Sequence, residues 1–180
     1  GRTAGEQAAK FAKENPFVEL AENAGAEGLA TINKFANSNG KHSFGPIWEE
    51  LTRTMQTNVG VFRTGALMED ALKVLDKLEA QMEDFKVADK SSVYNLDLIE
   101  ALELNNMILV AKAATKAALA RKESRGGHYR DDYPDRDDAN YLKHTEVYLE
   151  EDGKTPRVDY RKVRMQPLSV EPFPPKARVY

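Results

Sequence analysis

Five Arg or Lys, six Asp or Glu and one His crowd into the eighteen residues Arg121–Asp138, RKESRGGHYRDDYPDRDD. Three chemistries use such residues. A His beside a carboxylate moves protons near neutral pH. Arg forks grip carboxylates or phosphates. Closely spaced carboxylates hold divalent cations. The spacing argues against the last of them. Asp131, Asp132, Asp135, Asp137 and Asp138 are the candidate cation ligands, but their spacing D-x-x-x-D-x-D lacks the EF-hand pattern and its closing Glu. His128 has no partner His, because His42 and His144 are remote in sequence and no HExxH frame exists, so no metal set is expected. The chain has no GxGxxG, no GxxxxGK[ST] and no GxSxG, which leaves no local fingerprint for a dinucleotide, a P-loop phosphate or a serine nucleophile. Absence of Cys removes thiolate chemistry, disulfides and iron–sulfur ligation. No catalytic, cofactor-binding or metal residue is therefore expected in this chain. Two readings remain for the stretch: a solvated, self-paired charge patch, or a face that docks on another domain. Tyr133-Pro134, a rigid apolar point inside the charge, favours docking.

The elements that must carry this stretch are mostly helical. Residues 3–14 predict a short helix ended by Asn15-Pro16. Residues 17–40 predict a second, weaker helical region, softened by Gly25 and Gly28. Pro46 suits the first turn of a helix over 46–57. Leu67/Met68, Ala71/Leu72, Leu75, Leu78, Met82 and Phe85 recur at steps of three and four, predicting a helix over 62–86. A long helix over 95–124 has a Leu- and Ile-rich first half and an Ala-rich second half, with Gly126 or Gly127 closing it at positive φ. Trp48 is expected to anchor the core, and His42 to be a solvated loop residue. The fold class expected is mainly α: an antiparallel, spectrin-like three-helix bundle. Two alternating runs around Asp152-Gly153 predict a β-hairpin, and the Pro-rich end predicts an extended tail.

A chain of 180 residues is long enough for a core without staples. The formal net charge of −3, with bases interleaved among acids, argues against nucleic acid as a partner. No apolar run reaches a membrane-spanning length, so no membrane insertion is expected. Gly1-Arg2-Thr3 leads straight into helical sequence without an initiator Met. That reads as a start inside a longer polypeptide; a removed Met or tag reads equally well.

The order of residues goes further. ARKESRGGHYRDDYPDRDD, followed by YLKHT, resembles the C-terminal region of succinate dehydrogenase and fumarate reductase flavoprotein subunits, where K-E-S-R-G-x-H-x-R-x-D-x-P precedes R-D-D and W/Y-L-K-H-T. MQTNVGVFRTG, NLDLIEALELNNMILVA, the ending PPKARVY and the opening Gly1-Arg2 are similar to family segments at matching distances. Gly127 stands where Ala is common, and Tyr129 where the pattern is loose. L-aspartate oxidases share a shorter ESRG-type motif, but the hairpin and PPKARVY favour a succinate dehydrogenase.

The resemblance implies hydride transfer between succinate and FAD, with electrons passing to an iron–sulfur subunit and quinone. It places the FAD site and every catalytic group in domains that precede this region. The expected division is a helix over 1–14 continuing from the FAD-binding domain, a helical bundle over 15–125, and a charged loop, hairpin and tail over 126–180. Docking on the FAD-binding domain is expected from Arg121, Glu123, Ser124, Arg125, Gly126, His128, Arg130, Asp131, Tyr133, Pro134, Arg136 and Asp137. The chain alone is expected to be inactive, not to bind FAD, and to self-associate to some degree through its bare docking face. The implied location is peripheral, on the cytoplasmic face of a bacterial inner membrane by preference, or on the mitochondrial matrix side. The competing reading is a free-standing helical interaction module using the 121–138 patch.

Overall fold

A computed structural model describes residues 1–176; the last four residues of PPKARVY lie outside the described residues. The chain divides at Lys34 and Phe35 into two compact units. The first holds α1 (Arg2–Glu14), whose end is capped by Asn15: its backbone N–H and its Nδ2 both donate to the Phe11 carbonyl, at 3.0 and 2.8 Å. Nothing in α1 is buried. The weak helical region predicted over 17–40 shrinks to α2 (Ala26–Ala36). Phe17 to Leu20 carry no regular structure and are fully solvated. Gly25 adopts φ 85° just ahead of α2, which explains why the helix starts there and not earlier.

The second unit contains α3 (Phe44–Asn58), α4 (Gly65–Glu83) and α5 (Leu96–Ala120), packed pairwise as a three-helix bundle. Its core follows the apolar period. Ile47 and Leu51 come from α3, and Met68, Ala71, Leu75, Leu78 and Met82 from α4. Ala101, Leu104, Ile108 and Ala111 come from α5. Phe35 closes one end edge-on to Phe85, with ring centroids 6.1 Å apart. Thr64 caps α4 by accepting from the Leu67 N–H, and Asn95 caps α5 by accepting from the Leu98 N–H at 2.8 Å. These two caps explain why α4 and α5 begin where they do.

Three expectations need correction. Trp48 is not a core anchor: it is 39% exposed and stacks on Phe44 at 5.6 Å. The inward period of α3 runs through Ile47, Leu51 and Thr54, and position 48 falls about 100° off that stripe. His42 is partly buried, its backbone held by Asp84 and Lys86. The long helix stops at Ala120, four residues early. Its C-cap, Arg121, takes the extended conformation (φ −94°, ψ 101°) because its side chain is committed elsewhere.

Beyond the bundle, β1 (Lys143–Leu149) and β2 (Pro156–Lys162) form the expected antiparallel hairpin, with Val147 opposite Val158. Asp152 organises its turn by accepting from the N–H of Lys154 and of Thr155, both at 2.8 Å. The hairpin lies on α5, where Lys116 donates to the Pro156 carbonyl at 3.1 Å. The tail after Lys162 carries no helix or strand as far as Lys176.

Candidate functional site

The 121–138 stretch folds into a knot around one carboxylate. Glu123 has 0% exposure. Arg125 grips it with both edges of its fork: Nε donates to Oε1 at 2.9 Å and Nη2 to Oε2 at 3.0 Å. Arg121 Nη1 also donates to Oε1, and the Asp137 N–H donates to Oε2 at 2.8 Å. Burial alone would raise the Glu123 pKa. The Arg125 bonds, the Asp137 N–H and Arg121 outweigh it, and the group sits below the usual carboxylate range. Arg121 reaches onward, donating to the Tyr141 carbonyl at 3.0 Å, to Thr145 Oγ1 at 3.2 Å and to the Lys143 carbonyl. One side chain thus ties the end of α5 to the first strand. This commitment drags Arg121 out of the helix.

A second pair is built alongside. Arg130 is 2% exposed. It donates to Asp132 through Nε at 2.9 Å and Nη2 at 2.6 Å, and to the Leu119 carbonyl at 2.8 Å. Its guanidinium lies 4.7 Å from the Tyr133 ring centroid. Asp132 also accepts from the Gly65 N–H, the first residue of α4, at 2.8 Å. The Arg130 bonds first, then the Gly65 N–H, hold its carboxyl at about 2. Gly at position 65 gives this pair its room: a Cβ would lie 2.9 Å from Arg130 Nη2 and 3.2 Å from Asp132 Oδ2, so one of the two side chains would have to shift.

His128 is held between cations. Its Nδ1 lies 2.8 Å from Arg63 Nη2 and its Nε2 lies 3.1 Å from the Arg121 carbonyl. A guanidinium only donates and a carbonyl only accepts. The ring is therefore neutral, with its proton on Nε2. Burial lowers its pKa, and although the Arg121 carbonyl favours the cation, Arg63, Arg121 and Arg130 push it further down. Both ring nitrogens are thus engaged by bonds within the chain.

The remaining expected residues take several positions. Ser124 accepts from the Arg130 N–H at 2.9 Å and donates to the Tyr133 carbonyl at 2.7 Å, closing the loop on itself. Gly126 does adopt positive φ, 59°, but it does not end the helix. It sits in a tight turn whose flanks, Arg125 and His128, exchange backbone bonds at 2.7 and 2.9 Å. Asp137 caps a short helix, α6 (Asp138–Tyr141), which the sequence reading lacked. Arg136 bonds Asp138 at 3.0 Å and the Lys176 carbonyl at 2.6 Å, pinning the tail. Gly126, Asp131, Tyr133, Pro134 and Arg136 remain on the surface, together with Gly127 and Tyr129. The sequence reading missed Arg63, Asp132 and Asp138 as members of the knot. Asp132 and Asp138 carried no signal that separated them from their neighbours. Arg63 is a lone cation in VFRTG, sixty-five residues from its His partner.

Gly126-Gly127 follows no strand and opens no helix, so it lacks the strand–turn–helix setting of a dinucleotide site. Among the described residues no three His, Asp or Glu side chains converge as a metal set, and no helix is long and apolar enough to cross a membrane.

Comparison with known proteins places this geometry. The family model described as "Fumarate reductase flavoprotein C-term" matches residues 48–180. The mitochondrial succinate dehydrogenase flavoprotein subunit of Oryza sativa is 39% identical over 100% of this chain and 29% of its own length. The Escherichia coli fumarate reductase flavoprotein subunit is 36% identical over 100% of this chain and 30% of its own. A solved E. coli quinol fumarate reductase chain superposes with a TM-score of 0.82 at 34% identity, covering 96% of this chain and 30% of that one. The chain therefore spans about three tenths of the length of these relatives, matching their C-terminal region. With its bundle, hairpin and buried ESRG-type knot, it belongs to the succinate dehydrogenase and fumarate reductase flavoprotein family, as the C-terminal domain.

Proposed function

We propose that this chain works as the structural C-terminal domain of a succinate dehydrogenase flavoprotein subunit. In that subunit FAD, held by a preceding domain, accepts hydride from succinate and passes electrons to an iron–sulfur subunit and quinone. The domain docks on the FAD-binding domain, α1 continues from it, and the assembly sits peripherally at a membrane. The chain alone neither holds FAD nor oxidises succinate. The observation that carries this reading is the knot itself. Its charges are spent on each other, with Glu123 closed to solvent by Arg121 and Arg125. Such a cluster fixes the shape of a surface and leaves no free acid–base pair for chemistry. The surface it fixes, from Gly126 to Pro134 with Arg136, is what a neighbouring domain would meet. A dehydrogenase is favoured over a reductase; the two run the same chemistry in opposite directions, and redox partners outside this chain set the direction.

The test is the mass of the native polypeptide in its own cells, detected with an antibody against this chain. A single flavin-carrying band several-fold heavier than 20.2 kDa is expected. A flavin-free band at 20.2 kDa would mean a free-standing interaction module and would sink the proposal.

A further inference from the structure

Arg63 is the one member of the cluster around His128 that lacks a carboxylate. Arg121 and Arg125 have Glu123, and Arg130 has Asp132. Among the described residues, Arg63 bonds only the Val59 carbonyl at 3.0 Å and the neutral His128. Its Nε is buried with no partner. Arg63 is partly buried beside Arg130, and first burial, then that like charge, work against its cationic form. A guanidinium does not shed its proton in compensation. An uncompensated, partly desolvated cation is unfavourable unless a counter-charge arrives.

The structure leaves room for one. Arg63 lines an open cavity of about 450 Å³ with Met55, Val59, Ala114, Ala118 and Thr145. Its walls are apolar and its charged members are Arg63 and Arg121, with neutral His128 between them. Arg121 already has Glu123 as its counter-charge and three further acceptors, so Arg63 is the cation on offer. The two residues before it, Val61 and Phe62, are 72% and 74% exposed. An Arg beside exposed apolar side chains has the composition of an interface anchor.

We propose that the cavity beside Arg63 receives an Asp or Glu side chain from the polypeptide that docks on this domain, with Val61 and Phe62 packing around it. The inference rests on the docking reading above and names the chemistry of the contact. The occupant is a protein carboxylate because the cavity's net charge is positive while its walls are apolar, which suits a charged head on a short methylene stem.

The test uses the native polypeptide carrying Arg63→Lys, treated with a carbodiimide that joins amine to carboxylate without a spacer. The expected product is an amide from position 63 to an Asp or Glu outside residues 1–180. Suppose exposed lysines such as Lys122 cross-link to the rest of the polypeptide while position 63 does not, or joins only Glu123, Asp131 or Asp132. Then docking stands and the carboxylate contact is overturned. If no lysine of this chain reaches the rest, docking itself fails and the contact with it. Should the variant not fold, phenylglyoxal on the unsubstituted native polypeptide gives the same decision. Arg63 reacts more slowly in the native polypeptide than in the 180-residue chain, with Arg157 and Arg161 as exposed references; equal rates for Arg63 in the two overturn the inference.

Discussion

Replacing Glu123 by Gln keeps the shape of the knot and removes its central charge. Gln offers one acceptor oxygen where Glu123 accepts from four donors: Arg125 Nε, Arg125 Nη2, Arg121 Nη1 and the Asp137 N–H. Its amide NH₂ then faces a donor. Losing one partner of a buried ion pair costs about 3–5 kcal/mol. Arg125 keeps Asp138 at 2.6 Å and Arg121 keeps two carbonyls and Thr145, so the lower end, about 3 kcal/mol, is expected. Against a typical domain stability of about 5–15 kcal/mol that is a large loss. The assay is urea unfolding of the 180-residue chain and its variant at neutral pH, read as a shift in midpoint at constant slope. The pH dependence sharpens the test. The folded pKa of Glu123 is depressed. Its stabilisation is therefore full above the unfolded value of about 4.3 and is lost as pH falls through the folded pKa. The gap between wild type and Glu123→Gln closes in acid. A gap under about 1 kcal/mol at pH 7, or one that does not narrow below pH 4, refutes the claim that the buried charge organises the loop.

Other outcomes follow from the same geometry. Arg130→Lys loses the two-pronged grip on Asp132 and lowers the thermal midpoint, by about 1–3 kcal/mol of stability, since a point charge cannot replace the fork. Asp132, held at about 2, contributes stability above an unfolded value near 4 that fades as pH falls toward 2, so Asp132→Asn flattens the acid limb of the stability profile. Gly65→Ala forces Arg130 and Asp132 apart and costs about 1–3 kcal/mol. Gly45→Ala, which meets nothing within 4 Å, is neutral or stabilising in the same melt. In the native polypeptide, Arg125→Ala lowers flavin retention; unchanged flavin content and assembly count against the docking reading.

Much of the bundle was readable because burial follows a period. Met68, Ala71, Leu75, Leu78 and Met82 step by three and four, and all five are buried. The hairpin was readable because Asp152-Gly153 supplies both a turn-organising carboxylate and a positive φ, 66°. Helix ends were read less well, since they depend on tertiary bonds. No local rule stops an Ala-rich helix at Ala120 before Arg-Lys-Glu; the stop comes from carbonyls at Tyr141 and Lys143. Lys112 shows the same limit. It looks like a solvent-facing residue in an Ala-rich run, yet its side chain is 8% exposed and bonds Asp76 and Glu79, each at 2.8 Å. Burial opposes its charge, but those two carboxylates outweigh it and raise its pKa. Within the charged loop, composition announced a cluster, and only the fold could say that Glu123 and Arg130 turn inward while Tyr133 and Pro134 stay outside.

The inward turn changes what a charged loop of this kind can be for. A solvated patch would leave its side chains free to reorient, and each exposed pair would add little. Here Glu123 joins the end of α5 to the loop before α6, Arg121 joins the same end to β1, and Asp132 joins the loop to the start of α4. Arg63 and His128 add the α3–α4 connection. Five separate pieces of chain are thus indexed against one another by bonds whose geometry is directional. Apolar packing alone tolerates small slides between a helix and a hairpin, and a fork-on-carboxylate contact does not. Under the proposed function, this cluster would serve the subunit by holding a neighbouring domain in register. Arg63, left without a carboxylate inside an otherwise paired network, is where the proposed contact would pass that register on.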